Sequence, residues 1–499
     1  MQLFCHTEPA CRRAYLLAFA IVALAVACGK GGGDTAEEQQ GGQVVPPEPP
    51  AEDPTLVCVD APLVLEFDSD VVLGTSGTLK VFNSRDRQQD VIDLADAATV
   101  TVRDDGIAVP KEQIISGSVM TTWMDALKCG SSYRIVHCTP LTVSGKKLIV
   151  RLHSGVLEHD KEYYVTMDEG FVAGHPGFQK GDLTIKTKAK PSSASELNVS
   201  QDGKSDFCTI QGAINYAATL GKDAAVTINV ARGDYREMLF ISDKNNLTFK
   251  GRSRASTNIF YANNESYEKG TGDYVTSRPS FGGAVAKSGG RGVILIRGCS
   301  NIKFESFTMK NTFGSTNGQA EVMYFNNDNG TLAITDCALH SLQDTFLCKG
   351  DVTVSNTLIS GHCDFIWGYP KVCVFDNCEI RAMAAGYVVQ ARVNNANDKG
   401  FIFRGCRFTA DSGVADGSMY LARSGGDATK YDNVTLIGCT LGSVIAPAGW
   451  YTNPAPNPAV PTATSGWKEY GSVDAAGHPV TGHNSCGKIL TEEEAQAFM

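Results

Sequence analysis

Two kinds of apolar patterning divide the chain. From Leu56 to about Thr187, apolar and polar positions alternate over short runs: Leu63-Val64-Leu65-Glu66-Phe67, Leu79-Lys80-Val81-Phe82, Leu148-Ile149-Val150-Arg151-Leu152 and Tyr163-Tyr164-Val165-Thr166-Met167. Gly, Asn and Asp turn signals separate these runs, and several such strands predict an antiparallel sandwich over residues 56–190. Lys188 to Ser195, with Pro191, marks its end. Over residues 196–499 a different unit recurs: an apolar residue, two variable positions, then a column residue. It runs Phe249-Lys250-Gly251-Arg252, Phe304-Glu305-Ser306-Phe307, Ile334-Thr335-Asp336-Cys337, Val354-Ser355-Asn356-Thr357, Phe375-Asp376-Asn377-Cys378, Phe403-Arg404-Gly405-Cys406 and Leu436-Ile437-Gly438-Cys439. Successive columns are 55, 30, 20, 21, 28 and 33 residues apart. A minimum near 20 with longer insertions fits coils of a parallel β-helix whose loops vary in length. The predicted fold class is therefore all-β, a parallel β-helix preceded by a smaller β-sandwich.

Ahead of both regions, Arg12 and Arg13 precede an apolar run from Ala14 to Ala27 that ends in Ala25-Val26-Ala27-Cys28. A positive flank and a short apolar stretch are expected to act as an export signal over residues 1–27, too short to span a bilayer comfortably. Its end resembles a bacterial lipoprotein box, which makes Cys28 the candidate lipidation site; the alternative is ordinary secretion with cleavage near Ala27. Residues 28–55, with Gly31-Gly32-Gly33 and Val45-Pro46-Pro47-Glu48-Pro49-Pro50, lack the apolar content for a core and are expected to be a disordered linker. The expected location is thus outside the cytoplasm, on the outer membrane or cell surface, with membrane contact only through a lipid anchor.

Composition narrows the function. Of 499 residues, 44 are Lys or Arg and 54 are Asp or Glu, a formal charge of −10. With no basic surplus to neutralise phosphates, nucleic acid is excluded as the expected partner. The 16 cysteines contain no paired knuckles of zinc-site spacing, so no metal is expected. Cys337, Cys378, Cys406 and Cys439 fall on the repeat column and are expected to be an inward ladder of small apolar thiols. Cys129 and Cys138 flank a predicted hairpin and are disulfide candidates in an oxidising compartment.

The repeat also aligns two carboxylates. Asp344 lies seven residues after Cys337, and Asp364 seven after Thr357. Equal offsets on consecutive coils stack them on one face, where neighbouring strands are about 4.8 Å apart. Two carboxylates so close cannot both ionise freely, and such a pair can divide the roles of acid and nucleophile.

Around these residues the chain carries Gly233-Asp234-Tyr235-Arg236-Glu237, Gly318-Gln319-Ala320, Leu342-Gln343-Asp344-Thr345-Phe346, Asp364-Phe365-Ile366-Trp367-Gly368 and Leu421-Ala422-Arg423. Together and in this order they resemble the pectin methylesterase family, right-handed parallel β-helices, over roughly residues 200–475. The resemblance implies hydrolysis of methyl esters of pectin or a related polyuronate, giving methanol and free carboxylate, with no cofactor and a monomeric chain. It implies that Asp364 is the nucleophile and Asp344 the general acid and then base. Gln343 is implied as the oxyanion donor, and Arg423 as the group that orients Asp364 and keeps it charged. Gln319, Trp367, Gln390 and Trp450 are the implied substrate-binding residues. Earlier in the chain, Leu157-Glu158-His159-Asp160-Lys161-Glu162-Tyr163-Tyr164-Val165 resembles the end of a bacterial immunoglobulin-like domain, expected to be a spacer.

Several positions depart from the family pattern. Where the family has Leu-Gly-Arg-Pro-Trp this chain has Leu421-Ala422-Arg423-Ser424-Gly425, so an aromatic that stacks on sugar is missing. Trp367 stands in place of Phe, Cys363 in place of Val, and His362 in place of Thr. His362 is expected to be a solvent-facing turn residue, with a role as base the alternative. Three other functions are weighed. A β-helix polysaccharide hydrolase also uses paired carboxylates, but Gln343 and Arg423 suit an oxyanion better than an oxocarbenium ion. A non-catalytic surface carbohydrate-binding protein fits the missing Trp but not the retained polar set. An esterase or thioesterase-like relative for another ester shares the chemistry. Without a G-x-S-x-G elbow, a serine hydrolase has no support.

Overall fold

The computed structural model describes residues 15–16, 56–94, 123–138, 140–265, 270–272, 274–276, 289–314, 316 and 318–499. Cys28 and nearly all of the export-signal and linker segments lie outside these residues.

From Glu196 the chain winds as a parallel β-helix. Strands of successive coils pair in register in long parallel ladders, and the repeat unit occupies one of them. Phe249, Phe304, Ile334, Val354, Phe375, Phe403 and Leu436 are consecutive ladder partners. Their rings stack down the interior, Phe249 on Phe304 at 4.5 Å and Phe375 on Phe403 at 4.6 Å.

The corner after every one of these strands but the first explains the repeat. Ser306, Asp336, Asn356, Asn377, Gly405 and Gly438 all have positive φ, between 49° and 65°. Only Gly is free of strain there, and Asn and Asp are the best tolerated alternatives. The second of the two variable positions is therefore constrained: it turns the chain inward and delivers the column residue to the core. The column cysteines are buried and free. Each thiol donates to the carbonyl of the apolar repeat residue one coil earlier: Cys337 to Phe304, Cys378 to Val354, Cys406 to Phe375 and Cys439 to Phe403.

Both ends of the stack are covered. Helix Ile210–Thr219 packs Ile210, Ala213, Ile214 and Ala217 onto the first coils, with Thr209 as its N-cap. At the other end Trp450 stacks on Trp467 at 5.3 Å.

The N-terminal region forms two further sheets, mainly antiparallel. Leu63–Glu66, Leu141–Ser144 and Lys147–Val150 belong to one; Thr78–Asn83, Gln88–Asp93, Glu162–Met167 and Phe178–Thr187 belong to the other. They enclose a separate core that includes Leu65, Leu79, Val81, Leu148, Val165 and Ile185. The hairpin of Trp123–Cys129 and Ser132–Cys138 joins neither sheet. Its Leu127, Cys129 and Val136 instead enter the core of the β-helix. This hairpin also removes the expected disulfide: Cys129 pairs across with Ser132 and Cys138 with Trp123, so the two cysteines stand at opposite ends, beyond disulfide reach. Cys129 is a free thiol that donates to the Ser242 carbonyl.

Candidate active site

Strand Leu358–Asp376 passes directly beside the coil that carries Asp344. Gln343 bridges to Cys363, and the Asp344 amide donates to the Cys363 carbonyl at 3.1 Å. Asp344 and Asp364 are consequently neighbours on adjacent coils. Both have left-handed backbone, with φ of 62° and 48°. For a non-glycine residue this is a strained conformation, and here it turns both carboxylates off the stack into the same cavity. Gly368 helps close the turn, since a Cβ there would meet the Cys348 carbonyl oxygen at 2.2 Å.

The cavity measures about 290 Å³ and is walled by Gln319, Gln343, Asp344, Asp364, Trp367 and Gln390 with Arg291, Arg392 and Arg423. Asp364 is 5% exposed and held from two sides. Arg423 grips both of its oxygens in a fork, through Nε to Oδ1 at 2.7 Å and through Nη2 to Oδ2, while Gln390 Nε2 donates to Oδ2 at 3.0 Å. A fork on an ionised carboxylate is among the stronger polar contacts. The Gln390 oxygen in turn accepts from Arg392, which fixes the amide orientation.

Asp344, 6% exposed, has a different environment. Burial first, then the charges of Glu321 and Asp364, push its carboxyl up to about 8, against the opposing effects of Arg291 and Arg392. Arg291 Nη2 donates to Asp344 Oδ2 at 3.2 Å, but the same guanidinium is committed to Glu321 at 2.8 and 2.9 Å and to Glu265 at 3.0 Å. Buried Glu321 is itself raised to about 7 by desolvation. One cation thus serves three carboxyl groups, and near neutrality Asp344 keeps its proton while Asp364 is matched by its own arginine.

Seven residues expected at the site, Asp344, Asp364, Gln343, Gln319, Arg423, Trp367 and Gln390, line this cavity. Trp450 does not. It is 1% exposed and stacked in the end cap, so its expected contact with substrate is corrected to a packing role. His362 is likewise not a solvent-facing turn residue. It is 9% exposed, its Nε2 is enclosed without a partner, and burial lowers its basicity. Beside Arg423, Tyr387, Tyr420 and Tyr451 form a half-buried cluster with ring separations of 4.9 to 6.0 Å. The Arg423 guanidinium lies 4.8 Å above the Tyr387 ring.

Sequence reasoning missed Arg291, Glu321 and Arg392. Arg392 was within reach, because it follows Gln390 by two positions and strand periodicity puts both on one face. Glu321 interrupts the apolar stretch Ala320 to Phe325, and a charge at a core position demands a partner. Arg291 lies in the 55-residue interval between columns 252 and 307, in the long loop between strands Thr257–Tyr261 and Ile294–Arg297, where the column spacing does not place it. Among the described residues one group has the spacing of metal ligands, Cys58, Asp60 and Cys208, within 4.8 Å of one another. It lies outside this cavity, and Asp60 already accepts from Thr209 Oγ1 and from the amides of Cys208 and Thr209 at the helix N-terminus.

Residues 196–498 match the family model described as Pectinesterase. The chain belongs to the pectinesterase family. Among curated members it is 27% identical over 259 residues to pectinesterase 31 of Arabidopsis thaliana, covering 51% of this chain and 76% of that one. Probable pectinesterase 49 of the same plant is 28% identical over 286 residues, 55% of this chain and 70% of the other. Among solved structures, pectin methylesterase from carrot superposes with a TM-score of 0.51 at 23% identity, covering 62% of this chain and 93% of that one. The shared fold is the parallel β-helix. As a pectinesterase, the chain is a carboxylic ester hydrolase.

Proposed function

We propose that the cavity hydrolyses methyl esters of pectin by double displacement on the Asp364 carboxylate. Asp364 attacks the carbonyl carbon of a methyl-esterified galacturonate. The negative charge that develops on the carbonyl oxygen is met by the side-chain amides of Gln343 and Gln319. As the carbon–methoxy bond breaks, Asp344 gives its proton to the departing methanol. The substrate acyl group is then held on Asp364 as an anhydride. Water attacks that acyl carbon, returns a proton to Asp344, and Asp364 leaves as a carboxylate with the polyuronate carboxyl freed.

The observation that carries this reading is the asymmetry of the aspartate pair: Asp364 in the two-pronged grip of Arg423, and Asp344 raised to about 8 by burial and by Glu321. A nucleophile must be charged and an acid protonated at the same pH, and the raised Asp344 beside an Asp364 paired with Arg423 supports that division of roles. The half-buried tyrosine cluster beside Arg423 offers the sugar apolar surface near a site that lacks the family tryptophan, whereas Trp367 is buried beneath Arg291 and Arg392.

The test is to assay methanol and new reducing ends together on highly methylated pectin. Methanol without reducing ends is the expected result; reducing ends without methanol would assign a glycosidic hydrolase instead. We also propose that the amino-terminal segment exports the chain and that Cys28 carries a lipid anchor. The basic pair Arg12-Arg13 and the apolar run to Ala27 support this reading. Mass spectrometry of the mature N-terminus is the check, and an unmodified Cys28 would remove the anchor.

A further inference from the structure

The hairpin Trp123–Cys129 and Ser132–Cys138 leaves the sandwich to enter the β-helix, and its Arg134 side chain is fully buried. Its guanidinium donates to five backbone carbonyls: Gly289 at 2.8 Å, Leu239 at 2.9 Å, Gly290 at 3.1 Å, Val293 at 3.2 Å, and Gly292. Four of these belong to the short segment 289–293, and the fifth to the adjacent strand. The contact is close. A Cβ on Gly289 would lie 2.1 Å from the Ile135 carbonyl oxygen and 2.6 Å from Arg134 Cγ, so the two backbones meet where only glycine fits.

Arg291 sits in the middle of that segment. Its own amide donates to the Gly270 carbonyl, and its side chain reaches Glu321, Glu265 and Asp344. A planar guanidinium shared by three carboxyl groups depends on its backbone being held, because a small displacement breaks several fixed-angle contacts together. Coil-to-coil pairing reaches the segment at Val293, whose amide donates to the Glu321 carbonyl and whose carbonyl accepts from the Leu239 amide. Asn263 Nδ2 donates to the Gly290 and Gly292 carbonyls, and Arg134 adds the contacts that hold the segment from the hairpin side.

We propose that the hairpin 123–138 is a positioning element of the ester-cleaving site, in which Arg134 fixes the 289–293 segment and thereby holds Arg291 against Asp344. The inference rests on the reading of Asp344 as general acid. It makes the N-terminal region a working part of the enzyme rather than a spacer. Arg134 and Arg291 are positioning residues; the groups that face Asp344 are Arg291, Glu321, Asp364 and Arg392, and Glu265 faces Arg291.

The experiment uses the full chain with methylated pectin as substrate. It measures kcat, KM, the pH profile and thermal melting for Arg134→Lys, Gly289→Ala, Arg291→Gln and the Arg134→Lys/Arg291→Gln double variant. Lysine keeps the charge but cannot span five carbonyls, and the alanine methyl group wedges the segment off the hairpin while leaving both arginines in place. Each single variant is expected to lower kcat by on the order of 10-fold to 100-fold, the scale of a misplaced catalytic group, with KM little changed. The upper limb of the pH profile is expected to move to higher pH, because Asp344 loses a cation that favours its charged form. The double variant is expected to be no worse than Arg291→Gln alone, since both changes act through one contact.

A folded Arg134→Lys or Gly289→Ala enzyme with wild-type kcat and an unmoved upper limb overturns the proposal. So does a loss of activity with an unmoved limb, which marks a merely structural role, and so do multiplicative losses in the double variant. Should both hairpin-side variants fail to fold, Arg291→Gln decides: wild-type turnover there removes the contact the proposal depends on. Asp344→Asn separates this inference from the reading beneath it. Full activity in that variant sinks the assignment of Asp344, whereas an inactive Asp344→Asn beside fully active hairpin variants sinks only the role of the hairpin.

Discussion

Asp344 and Asp364 are joined through the backbone: the Asp344 amide donates to the carbonyl of Cys363, the residue before Asp364, and both aspartates hold left-handed φ angles. Neither conformation is favoured by its own residue. The parallel pairing of the two coils imposes both, and by the same geometry sets the spacing of the carboxyl groups. Chemistry at this site is therefore fixed by fold register rather than by flexible side chains.

The fork on Asp364 should not tolerate a point charge. Arg423→Lys keeps the positive charge but loses the paired contact to both oxygens. Its kcat on methylated pectin is expected to fall about 100-fold with an unchanged melting temperature, a loss of orientation rather than of folding. Retention of wild-type turnover would remove Arg423 from the mechanism.

Charge around Asp344 should set the upper pH limit of activity. The acid must be protonated, so turnover is expected to decline as pH rises through about 8. Glu321 raises that value, and Glu321→Gln is expected to move the limb to lower pH. A pH profile of kcat on the variant checks the sign, and an unmoved or upward-moving limb would contradict the electrostatic account.

Stability should move with pH in the same region. Asp344, Glu321 and Glu237 have folded-state values raised by burial to about 8, 7 and 7 from ordinary values of 3.8 and 4.5. The folded state thus binds more protons than the unfolded chain. Their contribution is complete below about pH 4 and is lost as pH climbs through the raised values. Asp344→Asn removes one such group and keeps an acceptor for Arg291. It is expected to gain on the order of 1–3 kcal/mol relative to wild type at pH 9 and little at pH 5, while losing activity. Melting curves at the two pH values test this, and an equal shift at both would refute it.

The thiol ladder should respond as packing, not as crosslinks. Cys406→Ala is expected to cost roughly 1–2 kcal/mol from lost apolar contact. Reductant should leave the wild-type melting temperature of the β-helix unchanged. A large drop with reductant would mean that these cysteines are paired.

Much of this architecture was legible because a parallel stack writes its period into the sequence. The apolar repeat residues from Phe249 to Leu436 are ladder partners one after another, and the equal offsets of Asp344 and Asp364 from their columns were enough to place them together. What escaped lay off the repeat. Arg291 sits in a long loop that the column spacing does not place. The hairpin 123–138 does not alternate cleanly, with Asp125-Ala126-Leu127 and Arg134-Ile135-Val136 each buried in succession, and nothing in its local sequence says which body buries it. Trp450 and His362 show the same limit: a residue's type suggests a wall or a turn, but whether neighbouring coils cover it depends on contacts distant in sequence.

The central claim is tested most directly by methanol release from highly methylated pectin by Asp364→Ala. The account expects the variant to melt like wild type and to release no methanol above the buffer rate, because no other charged carboxylate in the cavity can attack the ester. Methanol release at the wild-type rate from a folded Asp364→Ala enzyme would contradict it.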